Sequence, residues 1–376
     1  MSIIGSRLNN DFYKLTMPYV AWLYFQDLQV RYEFTNRNTD FPIARYVNID
    51  ELRDEIEAWR ELRLRKFEQD YIGGLGIYTG DRVDEFLRDF FMTAPPEIMV
   101  ERVGDQLKIW TEGPWWRAMD AETPVLSIVT ELVSRNLAQE AGLGPADIRR
   151  NGHRHLDEVI ATLKAYPDLQ FAQFGARRRY SNAWEYEATA RLAYEVPEQM
   201  VGISNIEYAR EFGFNLSGTI AHEYFMVVAA RHIALGTPDP LVVAQNECLD
   251  MWEETYQEVW DGRILCAIPD TFGTDCYLAN LTAERAALWR VYKQDSGDPK
   301  LFVDKVLTRN QAFGIEPGAV RINHTDGLNL PAMLQLREFS QGRYQRGFGW
   351  GTKLTNNVGV ATHSLVWKPS HVLVNG

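Results

Sequence analysis

From residue 126 to about 370 the chain repeats one local rhythm: a short β-branched or aromatic run, a polar turn containing glycine, then a helix-period stretch. LQFAQFG runs into the arginines at 177–179, VGIS into NIEYAREFG, and FNLSGT into HEYFMVVAARHIA. RILCAIPDT, AVRINHTDG and YQRGFGWG lead in the same way into FGTDCYLANLTAERAALW, LNLPAMLQLREFSQ and TKLTNN. Strands joined through helices by right-handed crossovers make a parallel sheet. The rhythm therefore predicts an α/β fold over residues 126–363, an irregular α/β barrel of the TIM-like kind, with an open doubly wound sheet as the alternative. Residues 1–125 mix charged helical stretches such as IDELRDEIEAWRELRLRKFEQDYI with the strand candidates QVRYEF and EIMVERV. They are expected to form a separate N-terminal α/β domain, joined by a strand from near 364–376.

A chain of 376 residues has length for two such domains. Its net charge of −12 argues against general nucleic-acid or anionic-membrane binding, which need basic surface. Small anions need only a local arginine cluster. Three cysteines (Cys248, Cys266, Cys276) in no CxxC pattern make neither a disulfide frame nor a protein-held metal site. The N-terminus has no charged-then-apolar signal layout, and no apolar run reaches the roughly 18 residues of a membrane span. A reduced, cytoplasmic setting is the expectation.

The chemistry-bearing residues gather at the carboxyl ends of the predicted strands, which either architecture brings to one edge. In Gly218-Thr219-Ile220-Ala221-His222-Glu223, His222 stands at a strand-to-helix junction, where a buried structural ring is the plainer alternative. Arg177, Arg178 and Arg179 directly follow a strand. Guanidinium pairs bidentately with carboxylate or phosphate, although three arginines also make an ordinary solvated patch. Phe174 either packs in the core or offers a ring face to a flat substrate. Ser204 lies in a small polar turn, GISN, that serves equally as a helix cap. Asp270 ends a strand. In Lys293-Gln294-Asp295-Ser296-Gly297-Asp298-Pro299, Asp295 and Asp298 suit sugar hydroxyls or a magnesium complex as well as they suit a turn. Asp326-Gly327, and Gly349, Gly351 and Thr352 within GFGWGTK, bare backbone N–H groups ahead of helices, as phosphate seats do. No GxxxxGK[ST] occurs, so no P-loop is present. The inventory suits a phosphorylated sugar joined to a flat anionic ring.

These motifs keep company with Asp11-Phe12-Tyr13-Lys14-Leu15-Thr16-Met17, Tyr32-Glu33-Phe34-Thr35, Glu112-Gly113-Pro114-Trp115 and Leu354-Thr355-Asn356. In that order the chain resembles, almost end to end, the nicotinate phosphoribosyltransferases among the type II phosphoribosyltransferases. The resemblance implies an N-terminal α/β domain on an irregular barrel and a head-to-tail homodimer with shared active sites. It implies ATP-assisted conversion of nicotinate and phosphoribosyl pyrophosphate into nicotinate mononucleotide and pyrophosphate, with magnesium on the pyrophosphate or ATP. His222 would then be the histidine that ATP phosphorylates, and a neutral imidazole is a competent nucleophile. Phe174 would stack on the pyridine, with Tyr13 of the partner subunit on its other face. Arg177, supported by Arg178 and Arg179, would meet the carboxylate. Asp270, Asp295 and Asp326 would surround the ribose and pyrophosphate, and Gly349, Gly351 and Thr352 would seat the 5′-phosphate.

A nicotinamide-using relative is expected to carry an aspartate where this chain has Ser204. With serine there and arginines nearby, the acid is favoured over the amide. The chain departs from the family pattern at Lys293 (usually arginine), at His324-Thr325-Asp326 (usually Phe-Ser-Asp), at Gln173 (usually aspartate) and at Ala176 (usually threonine). The competing readings are a nicotinamide phosphoribosyltransferase, another barrel enzyme acting on a phosphorylated sugar, and a silent pyridine-nucleotide binder.

Overall fold

The computed structural model describes residues 2–218 and 220–373, so Thr219 of the His222 run and the end of the expected 364–376 strand lie outside the described residues. The described strands are β1 (Gln29–Asn36), β2 (Ile98–Val103), β3 (Gln106–Pro114), β4 (Phe171–Gln173), β5 (Met200–Ile203), β6 (Cys266–Ala267), β7 (Val291–Gln294), β8 (Arg321–His324), β9 (Gln345–Trp350) and β10 (Leu365–Leu373).

Four of them form an antiparallel sheet in the order β10-β1-β3-β2. Strict alternation along β1 sends Val30, Tyr32 and Phe34 into the core and turns Arg31, Glu33 and Thr35 the other way. A two-residue turn joins β2 to β3, and Gly104 supplies its positive φ of 61°. β10 pairs along the whole of β1 and lays Trp367, fully buried, against the ring of Tyr32 at a centroid distance of 6.4 Å.

The other six strands run parallel in the order β5-β4-β9-β8-β7-β6. This is sequence order bent into a ring, since the last strand, β9, bonds to the first, β4. Helices Asn182–Glu195, Pro299–Ala312 and Leu330–Ser340 make the crossovers β4 to β5, β7 to β8 and β8 to β9. The ring continues past β5 for one residue only. Leu216 bridges Ile203, through Ile203 N–H to Asn215 O (3.0 Å) and Ser217 N–H to Ile203 O (3.0 Å). Among the described residues no ladder joins that segment to β6. The α/β class and parallel sheet agree with the expectation, and the barrel is irregular at this point. FNLSGT, expected as a full strand, gives a single bridge. Just beyond the bridge Gly218 packs on Phe12, where an added Cβ would stand 3.1 Å from the ring, so the segment is held by the N-terminal residues in place of a neighbouring strand.

The N-terminal segment docks on the mouth of this ring: Phe12 N–H bonds to Ser204 O, Ile206 N–H to Asn10 O and Glu207 N–H to Leu8 O. No helix among the described residues is long and apolar enough to cross a membrane.

Replacing Trp367 by alanine leaves a void between β10 and Tyr32. We expect a loss of about 3–5 kcal/mol in urea unfolding, with Tyr32→Phe costing far less.

Candidate active site

His222 is the first residue of helix His222–Ala234, and its ring is held from both sides. Nδ1 lies 2.9 Å from Thr271 Oγ1, and Nε2 lies 3.2 Å from Asp295 Oδ2 and 3.9 Å from Asp270 Oδ1. An ionised carboxylate only accepts, so in the neutral ring Nε2 carries the proton and Nδ1 presents its lone pair to the threonine hydroxyl. Thr271 and Asp270 follow β6, and Asp295 follows β7, so the parallel strand ends deliver all three partners.

Asp295 is the hub. Thr325 Oγ1 donates to its Oδ1 at 2.6 Å, and Lys293 Nζ stands 3.3 Å from its Oδ2. Burial works against its charge, but Lys293 and the bonds from His222 and Thr325 hold the carboxyl far below its ordinary range. Ser296 donates to Asp270 Oδ2, while Asp270 Oδ1 is buried without a hydrogen bond. Asp326, on the loop after β8, is pushed up by burial and by the negative charges of Asp295 and Asp270. Three carboxylates thus crowd one mouth with Lys293 as the close cation.

A second cluster adjoins it. Arg177 gives Nε to Asp11 Oδ2 and Nη1 to Glu122 Oε1, each at 3.2 Å. Asp11 Oδ1 accepts from Ser204 Oγ at 2.6 Å, and Oδ2 from Thr123 at 3.1 Å. Tyr13 OH donates to Glu122 Oε2 at 2.8 Å. Lys14, fully buried, pairs with Glu122 at 2.9 Å and with Glu223, the neighbour of His222. Burial disfavours the charge on Arg177, yet Tyr13, Glu122, Asp11 and Asp295 keep it well above the ordinary range. Arg178 is different: it makes no ion pair among the described residues, and burial together with Arg177 and Arg37 lowers it to about 10.

The structure therefore brings His222, Asp270, Asp295, Lys293 and Asp326 together, and sets Arg177, Arg178 and Ser204 beside them. Tyr13, expected from a partner subunit, lies against its own chain's Arg177, 5.7 Å from ring centroid to guanidinium carbon. Arg179 does not reach the mouth. Its buried guanidinium bonds Asn9 and Glu185, each at 2.7 Å. Asp298 caps helix Pro299–Ala312 through Lys300 N–H and Leu301 N–H. Phe174 sits over Gly349, where an added Cβ would come within 2.6 Å of its ring. A Cβ at Gly351 would meet the Phe174 carbonyl oxygen at 3.2 Å, and Thr352 opens the short helix Thr352–Thr355. Gly327 takes a positive φ of 55° after Asp326.

Asp11, Lys14, Glu122, Glu223, Thr271 and Thr325 complete the arrangement without having been singled out from sequence. Asp11, Lys14, Glu223, Thr271 and Thr325 lie inside motifs quoted for other residues; Glu122 has no local signal at all. The Asp11–Ser204 bond also corrects the premise drawn from position 204. A carboxylate is present there, supplied from 193 positions away. Two departures from the family pattern have structural explanations. Gln173 bonds Glu185 at 2.9 Å, where an aspartate would oppose like charge. His324 is buried against Tyr344 OH at 2.9 Å and lowered by burial to about 4, a neutral aromatic ring where phenylalanine is usual.

A parallel-strand mouth lined by carboxylates, arginines and a clamped histidine defines an α/β protein of the kind that handles phosphorylated, anionic small molecules. Residues 8–130 match the family model for the nicotinate phosphoribosyltransferase (NAPRTase) N-terminal domain, and residues 169–376 that of the nicotinate phosphoribosyltransferase (NAPRTase) family. A nicotinate phosphoribosyltransferase of Chromobacterium violaceum is 32% identical over 97% of this chain and 89% of its own length. One from Cupriavidus necator is 31% identical over 97% and 90%. Among crystal structures, nicotinate phosphoribosyltransferase from Porphyromonas gingivalis superposes with a TM-score of 0.85 at 27% identity, covering 97% of this chain and 90% of that one. That from Vibrio cholerae gives 0.86 at 27% identity over 99% and 87%. The chain belongs to the nicotinate phosphoribosyltransferase family.

The Lys14 network makes a pH-dependent prediction. Lys14→Met leaves two buried carboxylates facing each other, and we expect a loss of about 3–5 kcal/mol near neutral pH. Glu223 is raised by burial, so it takes a proton first as pH falls and the penalty shrinks in acid. In the wild type the contribution of the Lys14 charge holds up to the ordinary lysine value and is lost as pH rises through the raised value of Lys14, while at the acid end it fades as Glu223 takes its proton. Urea unfolding of both proteins at pH 5 and pH 8 measures the difference; an equal penalty at both would contradict the assignment.

Proposed function

We propose that this chain joins nicotinate to phosphoribosyl pyrophosphate, giving nicotinate mononucleotide and pyrophosphate, and that ATP assists by phosphorylating His222. The single observation that carries the proposal is the clamped ring of His222, with Thr271 on one nitrogen and Asp295 on the other. Attack on ATP forms an N–P bond as the bond between the β- and γ-phosphates breaks and ADP departs. Asp295 balances the charge the ring then gains.

In the ribosyl step the pyridine nitrogen donates its lone pair to C1 of the ribose as the C–O bond to pyrophosphate breaks. Asp270, Asp295 and Asp326 face the cationic centre that develops there. The same three carboxylates are hard oxygen donors, and Asp270 Oδ1, which makes no hydrogen bond, is free to face positive charge, although among the described residues they do not gather into a three-ligand metal site. Magnesium bound with pyrophosphate would neutralise the leaving group. Gly327, Gly349, Gly351 and Thr352 offer backbone N–H groups to the 5′-phosphate. Phe174 would stack on the pyridine. Arg178, the arginine without a carboxylate partner, is the better seat for the substrate carboxylate, because Arg177 is already paired with Asp11 and Glu122. The competing reading, nicotinamide use, draws its structural support from the Asp11 carboxylate beside Ser204. The three free cysteines are consistent with a reducing, cytoplasmic setting.

Incubation with γ-labelled ATP is expected to leave acid-labile label on the wild type and none on His222→Ala; an unlabelled wild type would sink the phosphohistidine step. Product identification with both bases decides acid against amide, and Asp295→Asn is expected to lower kcat at least ~100-fold. We also propose a homodimer with shared sites. Mixing inactive Tyr13→Ala and His222→Ala chains restores activity if Tyr13 serves the partner's site, and restores none if it serves its own.

A further inference from the structure

Glu185 lies in the first turn of helix Asn182–Glu195, just after the segment that carries Phe174, Arg177 and Arg178, and it is fully buried. Each of its two carboxylate oxygens holds one end of that segment. Oε1 accepts from Gln173 Nε2 at 2.9 Å, at the end of β4, and Oε2 accepts from Arg179 Nη1 at 2.7 Å, where the segment leaves the mouth. Gln173 and Arg179 are fully buried too. The contact orients the Gln173 amide, because only its NH2 can face a carboxylate. Its Oε1 is then left to accept the Gly175 N–H, at 3.2 Å. The residue after Phe174 is thus tied back to the residue before it.

The segment is tied from its other side by the loop after β9. Thr355 Oγ1 donates to Gly175 O and Asn356 Nδ2 to Arg178 O, each at 3.0 Å. A Cβ at Gly175 would stand 2.2 Å from Thr355, so the two loops are in close contact there. Arg179 Nη1 also donates to Asn9 Oδ1, at 2.7 Å, and the N-terminal segment on the mouth shares the same support. Burial works against the charge on Arg179, yet Glu185 holds it above the ordinary range. The carboxylate itself is favoured by the helix start on which it stands. A fully buried ion pair adds little net stability over apolar side chains of the same volume, and its best-attested use is to fix a register.

We infer that Glu185 is a positioning residue for the seat of the base. By holding Gln173 and Arg179 on one carboxylate it fixes the ring of Phe174 and the direction of Arg178, without reaching the substrate itself. Phe174 is set because the peptide that follows it is anchored through Gln173. Arg178 makes no ion pair among the described residues, so the backbone that Arg179 and Asn356 anchor sets its direction. The inference rests on the reading above, in which Phe174 and Arg178 receive the pyridine ring and its carboxylate.

Two variants of the full-length protein test it. Gln173→Met keeps the side-chain length and cuts one tie while the Glu185–Arg179 pair stays intact. The double variant Arg179→Met with Glu185→Met removes both charges together, so that neither is left buried alone. Amide exchange of the peptide over 174–180, followed by mass spectrometry without substrate, is expected to quicken about tenfold in both, with β10 unchanged. In turnover both are expected to raise KM for nicotinate about tenfold and to leave KM for phosphoribosyl pyrophosphate within about twofold. A residue that served stability alone would lower the melting temperature and kcat and move neither KM. Unchanged exchange in Gln173→Met, or an equal rise of both KM values, overturns the inference, and Gln173→Met decides it alone if the double variant does not fold. A wild type that releases no pyrophosphate with nicotinate would end the reaction proposal, while faster exchange in the variants would still uphold the hold of Glu185 on the segment.

Discussion

Lys14 is the residue on which the site's architecture turns. It sits in the first turn of helix Tyr13–Tyr24, where a cation is disfavoured by the helix dipole, and it is buried completely. Both costs are met by Glu122 and Glu223, which stand in the first turns of helices Glu122–Glu140 and His222–Ala234. Three helix starts from three distant parts of the chain are thereby pinned at one point. Glu223 is fixed there, so the adjacent His222 is fixed too, and Glu122 in turn holds Arg177 and Tyr13. A buried pair of this kind is weak evidence of net stability but strong evidence of fixed geometry.

From that point the charges separate into two fields. Towards His222 lie Asp270, Asp295 and Asp326, and Asp326 is raised by burial with the repulsion of the other two added to it. Towards Phe174 lie Arg177 and Arg178, and Arg178 is lowered by burial with the repulsion of Arg177 added to it. A reaction that separates a cationic ribosyl centre from anionic leaving and binding groups needs both fields within a few ångströms of each other. The two fields are coupled, since the Asp295 charge is among those that favour the charged form of Arg177.

How much of this could be read from the chain follows the range of the interactions. β4, β8 and β9 are announced by apolar runs that end at turn residues, and the helix beginning at His222 by its apolar period. β6 is announced too, by RILCAIPDT, although only two of its residues pair, whereas β7, VYKQ, has too few apolar positions to mark itself as a strand. The FNLSGT segment carries a strand-like composition, but tertiary contact with Phe12 decided its path. Side-chain pairings were the least legible. Lys14 and Glu223 lie 209 positions apart, and no local pattern selects one glutamate from among many. The Arg-Arg-Arg run shows the same limit. Three identical neighbours have three fates: Arg179 is buried on Glu185, Arg177 is paired at the mouth, and Arg178 is left without an ion pair.

Position 204 shows why a site is better compared by the charge it presents than by the residue at one place. Serine there suggests a site without a carboxylate, yet the Ser204 hydroxyl reaches Asp11 at 2.6 Å because Phe12 N–H and Ser204 O bond the two segments together. The Asp11 charge does not act freely, since it is shared with Arg177 Nε and Thr123. Were a base to stack on Phe174 as proposed, the nearest charges would be Asp11, Glu122, Arg177 and Arg178, with Lys14 already set against Glu122 and Glu223. Two carboxylates against two guanidiniums would leave their sum near zero, were the groups equally placed. Asp11 and Glu122 are turned towards Arg177, so the unmatched charge in the set is that of Arg178. On the proposed reading, a preference for an anionic base would rest on the one arginine that its neighbours do not neutralise.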